Sequence, residues 1–338
     1  MADSLNLWNS KEFDPAVRAT AEYYGILPDL IRKDYWVTRV LRAIAGDVAR
    51  HGTVIFKGGT SLSKGWGLID RFSEDVDLLL TGSNFGAMPE RPKERARQFR
   101  ALRARIESET PLVLPAQATV DRDLWNFHYM RDSYHCNIRY PLPGNEAKRG
   151  AANTEWVLVE MGFRGGGQPH ARRALNSLIG EFVATQTDAR DALADYAADL
   201  SGFEMDLLKP ERTFAEKILL LHVAMAKGDE GAQRVPTRHY YDVAQMFKKS
   251  EDVKNAISSG AMQSLLVAAA EVSNAFFGAN IDPSSLKIRE SLALTPTTTQ
   301  LRLLRANYES PLEQAMYFRG SLPFDELMNV VRAIRDTI

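Results

Sequence analysis

From Asp29 to Val48 the apolar residues recur at helical spacing. Ile31, Trp36, Val40, Leu41 and Ile44 form one stripe, which predicts an amphipathic helix. The period then shortens. Thr53–Phe56 and Val76–Leu80 are short β-rich runs, and SYHCNIRY (133–140) alternates strictly. Tyr134, Cys136, Ile138 and Tyr140 fall on one face, with His135, Asn137 and Arg139 on the other. EWVLVEMGF (155–163) predicts a fourth strand after the loop PLPGNEAKRGAAN. Between the second and third strands, ERPKERARQFRALRARIE (90–107) reads as a helix with Phe99, Leu102 and Ile106 inward.

Beyond about residue 175 the strand pattern stops. DARDALADYAADL, TFAEKILLLHVAMAK, HYYDVAQMFKK, MQSLLVAAAEVSNAFF and FDELMNVVRAIRD all carry helical periodicity. The pattern predicts an α+β chain: a mixed β-sheet flanked by helices over residues 1–205, then an all-helical domain over 206–338. The boundary falls somewhere between residues 175 and 210.

Composition narrows the function classes. With 338 residues, 45% of them hydrophobic, the chain is long enough for two cores. The 42 basic and 43 acidic residues nearly cancel, so any contact with nucleic acid has to come from a local patch. The single cysteine, Cys136, allows no internal disulfide and fits a reducing compartment. No basic start followed by an apolar stretch opens the chain, and no apolar run approaches the ~20 residues needed to span a bilayer. The expectation is a cytoplasmic protein with no membrane contact.

The chemistry concentrates in VIFKGGTSLSKGWGLIDRFSEDVDLLL (54–80). Residues two apart on a strand share a face, so Asp75 and Asp77 project together, their α-carbons roughly 6.5–7 Å apart. Like charges on a largely apolar strand raise each other's pKa or destabilise the fold unless something neutralises them. A divalent cation does so, and two cations about 4 Å apart are the usual arrangement for phosphoryl or nucleotidyl transfer. Mg²⁺, or Mn²⁺ in its place, takes hard oxygen ligands and shares them with substrate phosphates. A half-exposed strand with one wet face would also account for alternating acids.

Gly58-Gly59-Thr60-Ser61 follows a strand and opens a predicted helix. Glycines let backbone approach a phosphate, while Thr60 or Ser61 is placed to cap the helix and offer a hydroxyl. Lys57 and Lys64 are nearby cations, and an ordinary turn with solvated lysines is the alternative. A third carboxylate would complete a two-metal site. Glu160 is the candidate, on a strand face with Trp156 and Leu158 while Val157, Val159, Met161 and Phe163 take the other. The competing reading is a strand-end glutamate reaching solvent.

FKGGTSLSK followed by RFSEDVDL resembles the first motif of the AbiEii/AbiGii-type nucleotidyltransferase toxins, a branch of the DNA polymerase β-like nucleotidyltransferase superfamily. RKDYWVTRVL (32–41) is similar to the helix preceding that motif. KPERTFAEKILLLH (209–222) and RHYYDVAQM (238–246) resemble the two helical motifs downstream of it. These blocks follow the family's order over roughly residues 30 to 250.

The resemblance implies a nucleotidyltransferase domain over 1–205 and a role for each matched residue. Gly59 and Thr60, flanked by Gly58 and Ser61, would hold the triphosphate with Lys64. Asp75 and Asp77 would be the metal-binding acids. Lys217 matches the family's essential lysine, Asp242 its late essential aspartate and Arg238 the basic residue opening that last motif. Glu160 matches a third acidic position by strand pattern alone.

Read on their own terms, Thr213 and Glu216 form a capping box that would start a helix and put Lys217 in its first turns. Arg238 and Asp242 share a helix face four residues apart, where an ordinary surface ion pair is the alternative. The implied reaction is transfer of NMP from an NTP to an RNA acceptor, with a tRNA 3′ end as the family's suggestion. Growth inhibition, an abortive-infection role and a cognate antitoxin would follow. The 90–107 segment, with seven basic residues against three acids, and Arg172 and Arg173 are the RNA-binding candidates; a solvated helix face explains the former equally. The other readings are transfer to a protein or small molecule, and nucleotide binding without turnover.

Overall fold

The computed structural model describes residues 6–47, 53–73, 75–81, 125–130, 133–139, 156–162, 165–318 and 320–338. Among them the chain is α+β. It forms two compact units: residues 1–56, 73–163 and 172–207 make one, and residues 57–72, 164–171 and 208–338 the other.

The first unit is built on a seven-stranded mixed sheet. In chain order its strands are β1 (Thr53–Lys57), β2 (Asp75–Thr81), β3 (Trp125–Met130), β4 (Ser133–Arg139), β5 (Trp156–Gly162), β6 (His170–Leu175) and β7 (Phe203–Leu208). In space the order is β3-β4-β5-β2-β1-β7-β6. β2 pairs with β5, and β1 with β7, in parallel, while β3-β4-β5 form an antiparallel meander. The parallel strands read as apolar runs because they are buried: Val54, Ile55, Phe56, Val76, Leu78, Leu79, Leu80, Val157 and Val159 are all in the core.

Helices α1 (Phe13–Tyr24), α2 (Pro28–Asp47) and α4 (Leu178–Thr185) belong to the same unit. α2 buries Ile31, Tyr35, Trp36, Val40, Leu41 and Ile44, the stripe expected from the sequence. Its polar residues work too. Asp34 accepts the Leu178 N–H at 2.7 Å at the start of α4. Asp199 gathers the Leu7 N–H (3.0 Å), the Tyr35 hydroxyl (2.5 Å) and the Arg39 guanidinium. Burial is the main cause of the rise in the Tyr35 pKa, with Asp199 adding to it.

The second unit takes in α3 (Gly58–Lys64) and the helices from Pro210 onward. These are α6 (Pro210–Met225), α7 (Asp229–Arg234), α8 (Arg238–Lys249), α9 (Glu251–Ser258), α10 (Ala261–Phe277), α11 (Thr298–Tyr308), α12 (Pro311–Gln314) and α13 (Phe324–Thr337). Its core joins Leu62, Leu68 and Ile69 to Phe214, Ile218 and Leu221 of α6, to Tyr240 and Val243 of α8, and to Leu327 and Val331 of α13.

Several sequence expectations need correction. Strand structure does not end at residue 175: β7 follows at Phe203–Leu208, and β6 occupies His170–Leu175 at the sheet's edge. β6 shows no apolar alternation because His170 to Arg173 are not buried and Arg172, Arg173 and Ala174 are exposed. β7 is short and broken by Glu204 and Asp206. The helix expected over 188–200 stops early: α5 covers Thr187–Ala192, and a 3-10 turn, Ala194–Tyr196, follows. Thr213 and Glu216 do not start a helix either. α6 begins three residues earlier at Pro210, whose fixed φ and missing N–H suit a first-turn position. The predicted 90–107 helix lies outside the described residues, as does Phe163 at the end of the fourth predicted strand.

Candidate functional site

In the first unit, the register of β2 against β5 places Asp75 opposite Leu158 and Asp77 opposite Glu160. Partners in a parallel pair project to the same side, so Asp75, Asp77, Leu158 and Glu160 share one face. That face is half-buried, whereas Val76, Leu78, Val157, Val159 and Met161 on the other are buried. The strand therefore resolves its conflict by burying one face in the core and keeping the acids off it. Glu160 is register-matched to Asp77. No group of three or more His, Cys, Asp and Glu side chains arranged to hold a metal ion occurs among the described residues.

In the second unit, Lys57 leads directly into α3. Gly58 turns the chain with φ 76°, a left-handed backbone where a side chain is strained. Lys57 is the residue before the helix, with no side-chain cap. Thr60 and Ser61, expected as caps, are instead the third and fourth residues of α3. Both are buried, and the Ser61 hydroxyl donates to the Gly58 carbonyl at 3.2 Å. The helix is only seven residues long and ends at Lys64, which sits in its last turn.

The same unit holds a buried cluster of charges. Asp242 of α8 is fully buried. Arg71 grips it with two bonds of 2.6 Å, Nε to Oδ1 and Nη2 to Oδ2. Lys217 of α6 approaches Oδ2 at 2.9 Å, and its Nζ also lies 3.2 Å from His239 Nδ1. Burial alone would raise the Asp242 pKa. The Arg71 guanidinium, then the Lys217 ammonium, outweigh it and hold the carboxyl well below its usual range. Burial pushes His239 down to about 4, with the Asp242 carboxylate opposing and Lys217 and Arg71 assisting. The imidazole is therefore neutral at pH 7, and Nδ1 accepts from Lys217.

This arrangement changes the reading of two sequence candidates. Asp242 is no surface partner of Arg238: its partners are Arg71 and Lys217, at full burial. Arg238 is half-buried at the start of α8, where its charge lowers the pKa of Glu313 against the larger effect of burial. Lys217 lies in the second turn of α6, and only 9% of it is exposed.

Arg71 and His239 were not singled out from the sequence. His239 is three residues from Asp242 in RHYYD, a helical spacing that could have flagged it. Arg71 offered a weaker signal, a lone cation closing the run GLID. Its position depends on the 315–318 segment: Phe72 N–H donates to the Met316 carbonyl at 2.8 Å, and Phe318 N–H to the Asp70 carbonyl at 3.2 Å.

A strand carrying two same-face aspartates and a glycine turn opening a helix, with a buried Lys–Asp–Arg cluster in the helical motifs, fits a nucleotidyltransferase. The chain belongs to the AbiEii family, described as nucleotidyl transferase AbiEii toxin, type IV TA system, whose profile matches residues 39–330. No individual curated protein matches it. Membership makes the chain a nucleotidyltransferase toxin of a toxin–antitoxin system, and implies an NTP substrate and an antitoxin partner. Among the described residues, no helix is long and apolar enough to cross a membrane.

Proposed function

We propose that this toxin transfers a nucleoside monophosphate from an NTP to an RNA acceptor, the 3′ end of a tRNA, in the cytoplasm. The observation that carries the reading is the pair Asp75 and Asp77, half-buried on one face of β2 beside Glu160. Two hard carboxylates with few further protein ligands suit Mg²⁺ or Mn²⁺, which keep water and substrate phosphates in their shell. Asp75 and Asp77 would hold the ion, with Glu160, register-matched to Asp77, swinging in as third ligand on binding. When bound, it supplies charge neutralisation at the triphosphate and lowers the pKa of the acceptor hydroxyl.

The remaining roles belong to the chain itself. Gly58, Gly59, Thr60 and Ser61 offer backbone N–H groups, and Thr60 its hydroxyl, to phosphate oxygens, with Lys64 and Arg238 as cationic support. Lys217 neutralises charge on the departing pyrophosphate, and Asp242 with Arg71 fixes where its ammonium points. The acceptor oxygen bonds to the α-phosphorus as the bond to the pyrophosphate oxygen breaks, and the hydroxyl proton is lost.

The test is incubation of the protein with each α-³²P-labelled NTP, Mg²⁺, total tRNA and a cell extract. Label at a tRNA 3′ end supports the proposal. Label on protein or on a small molecule moves the acceptor to that class. Bound but unturned nucleotide would make the chain a binding protein.

A further inference from the structure

The helical unit contains a cavity of about 420 Å³ between α6 and α10, on a different side of α6 from Lys217. Its α6 wall comes from Arg212, Glu216, Leu219, Leu220 and Val223, which recur at helical spacing and so line one stripe. The opposite wall is Ala269 and Val272 of α10. From Arg212 to Val223 the helix rises roughly 16 Å, at 1.5 Å per residue. The lining therefore follows about three turns of α6. Among the described residues the cavity's apolar lining is aliphatic with no aromatic side chain, and Leu220 is 44% exposed at its rim.

One end is charged in an unusual way. Arg212 is only 2% exposed. Its Nε donates to Glu216 Oε1 at 3.0 Å, yet among the described residues its Nη2 has no hydrogen-bond partner. A buried guanidinium nitrogen without an acceptor is costly. Room for the guanidinium comes from Gly166: a methyl group there would lie 2.6 Å from Nη2. Lys57 also lines the cavity, as does Lys227 beyond Val223 at the other end of α6, so three cations and one carboxylate line the whole of it.

We propose that this cavity binds an aliphatic anion: an extended hydrocarbon chain ending in a carboxylate or phosphate that the Arg212 guanidinium ligates, turning its unpartnered Nη2 to the head group, with Lys57 in support. The unpartnered nitrogen specifies an acceptor, the excess of cations specifies its charge, and the aliphatic walls specify the body. A nucleobase is disfavoured because the described residues offer it no aromatic face to stack on. The site does not depend on the nucleotidyl-transfer reading, since none of the residues assigned to that chemistry lines it.

Calorimetric titration of the full-length protein with decanoate, decyl phosphate and decanol tests this. Both anions should bind, the tighter one identifying the head group. Decanol should bind about ten- to a hundredfold more weakly, the worth of a hydrogen bond to a charged group. Leu220→Glu should remove binding while leaving thermal unfolding unchanged, because Leu220 is exposed. Gly166→Ala should weaken it by displacing the guanidinium. Equal affinity for decanol, binding indifferent to Leu220→Glu, or no binding of either anion would each overturn the proposal.

Discussion

Arg71 and Asp242 meet through two parallel bonds of 2.6 Å, with Arg71 2% exposed and Asp242 wholly buried. A fork-to-fork pair in a dry core is directional as well as strong. Removing Arg71 leaves the buried carboxylate with Lys217 alone, a loss at the low end of the range of about 3–5 kcal/mol typical of a broken buried pair. Arg71→Ala should therefore lower unfolding stability by about that much in urea titrations. Arg71→Lys should also be destabilised, because an ammonium cannot reproduce the fork. A near-neutral Arg71→Ala would refute the view that this pair organises the helical unit.

His239 gives the cluster a pH dependence with a definite sign. Its pKa falls from the usual 6.5 to about 4 on folding, so between those values the unfolded chain binds more protons and stability rises with pH. Going from pH 7 to pH 5 should thus destabilise the protein, and His239→Gln should recover about 2 kcal/mol of that loss. Asp242 acts lower. Its depressed pKa adds stability that is complete above roughly pH 4, the unfolded carboxylate value, and is lost as pH falls toward its own folded pKa. Identical pH slopes for the wild type and His239→Gln would contradict the assignment.

Lys217 separates catalysis from folding. With Lys217→Met, Asp242 keeps both bonds from Arg71, so stability should drop by only about 1–2 kcal/mol. Label transfer should fall by about a hundredfold or more, the usual cost of a lost charge-stabilising group. A variant that keeps its rate would remove Lys217 from the chemistry and leave it a structural partner of Asp242.

Asp199 plays the comparable part in the first unit, where it collects Leu7 N–H, the Tyr35 hydroxyl and Arg39. Asp199→Ala removes the acceptor of the Leu7 N–H and of the Tyr35 hydroxyl and leaves Arg39 its bond to Asn6 Oδ1 at 3.1 Å, and should cost about 3 kcal/mol. Tyr35→Phe, which removes one hydroxyl, should cost about 1 kcal/mol.

The sequence carried most of the local geometry. The stripe of α2, the two strands bearing Asp75 and Glu160, and the helices bearing Lys217 and Asp242 each have a period strong enough to read directly. What it hid was set by tertiary pairing. β6 exists because an edge strand needs backbone partners more than apolar residues. Thr213 has capping chemistry but lies inside a helix already begun at Pro210. A surface ion pair with Arg238 was the alternative open for Asp242, since helical spacing is visible in a sequence and a partner 171 positions away, Arg71, is not. For the same reason the register that sets Glu160 opposite Asp77 could be suspected only from matching strand patterns.

The central claim rests on the two aspartates of β2, and one comparison tests it most directly. Wild type and Asp77→Asn, matched for folding by urea titration, are given α-³²P-labelled NTP, tRNA and Mg²⁺, with and without EDTA. The account predicts labelled tRNA from the wild type alone, abolished by EDTA with no change in unfolding. Equal labelling by Asp77→Asn, or labelling that survives EDTA, would contradict it.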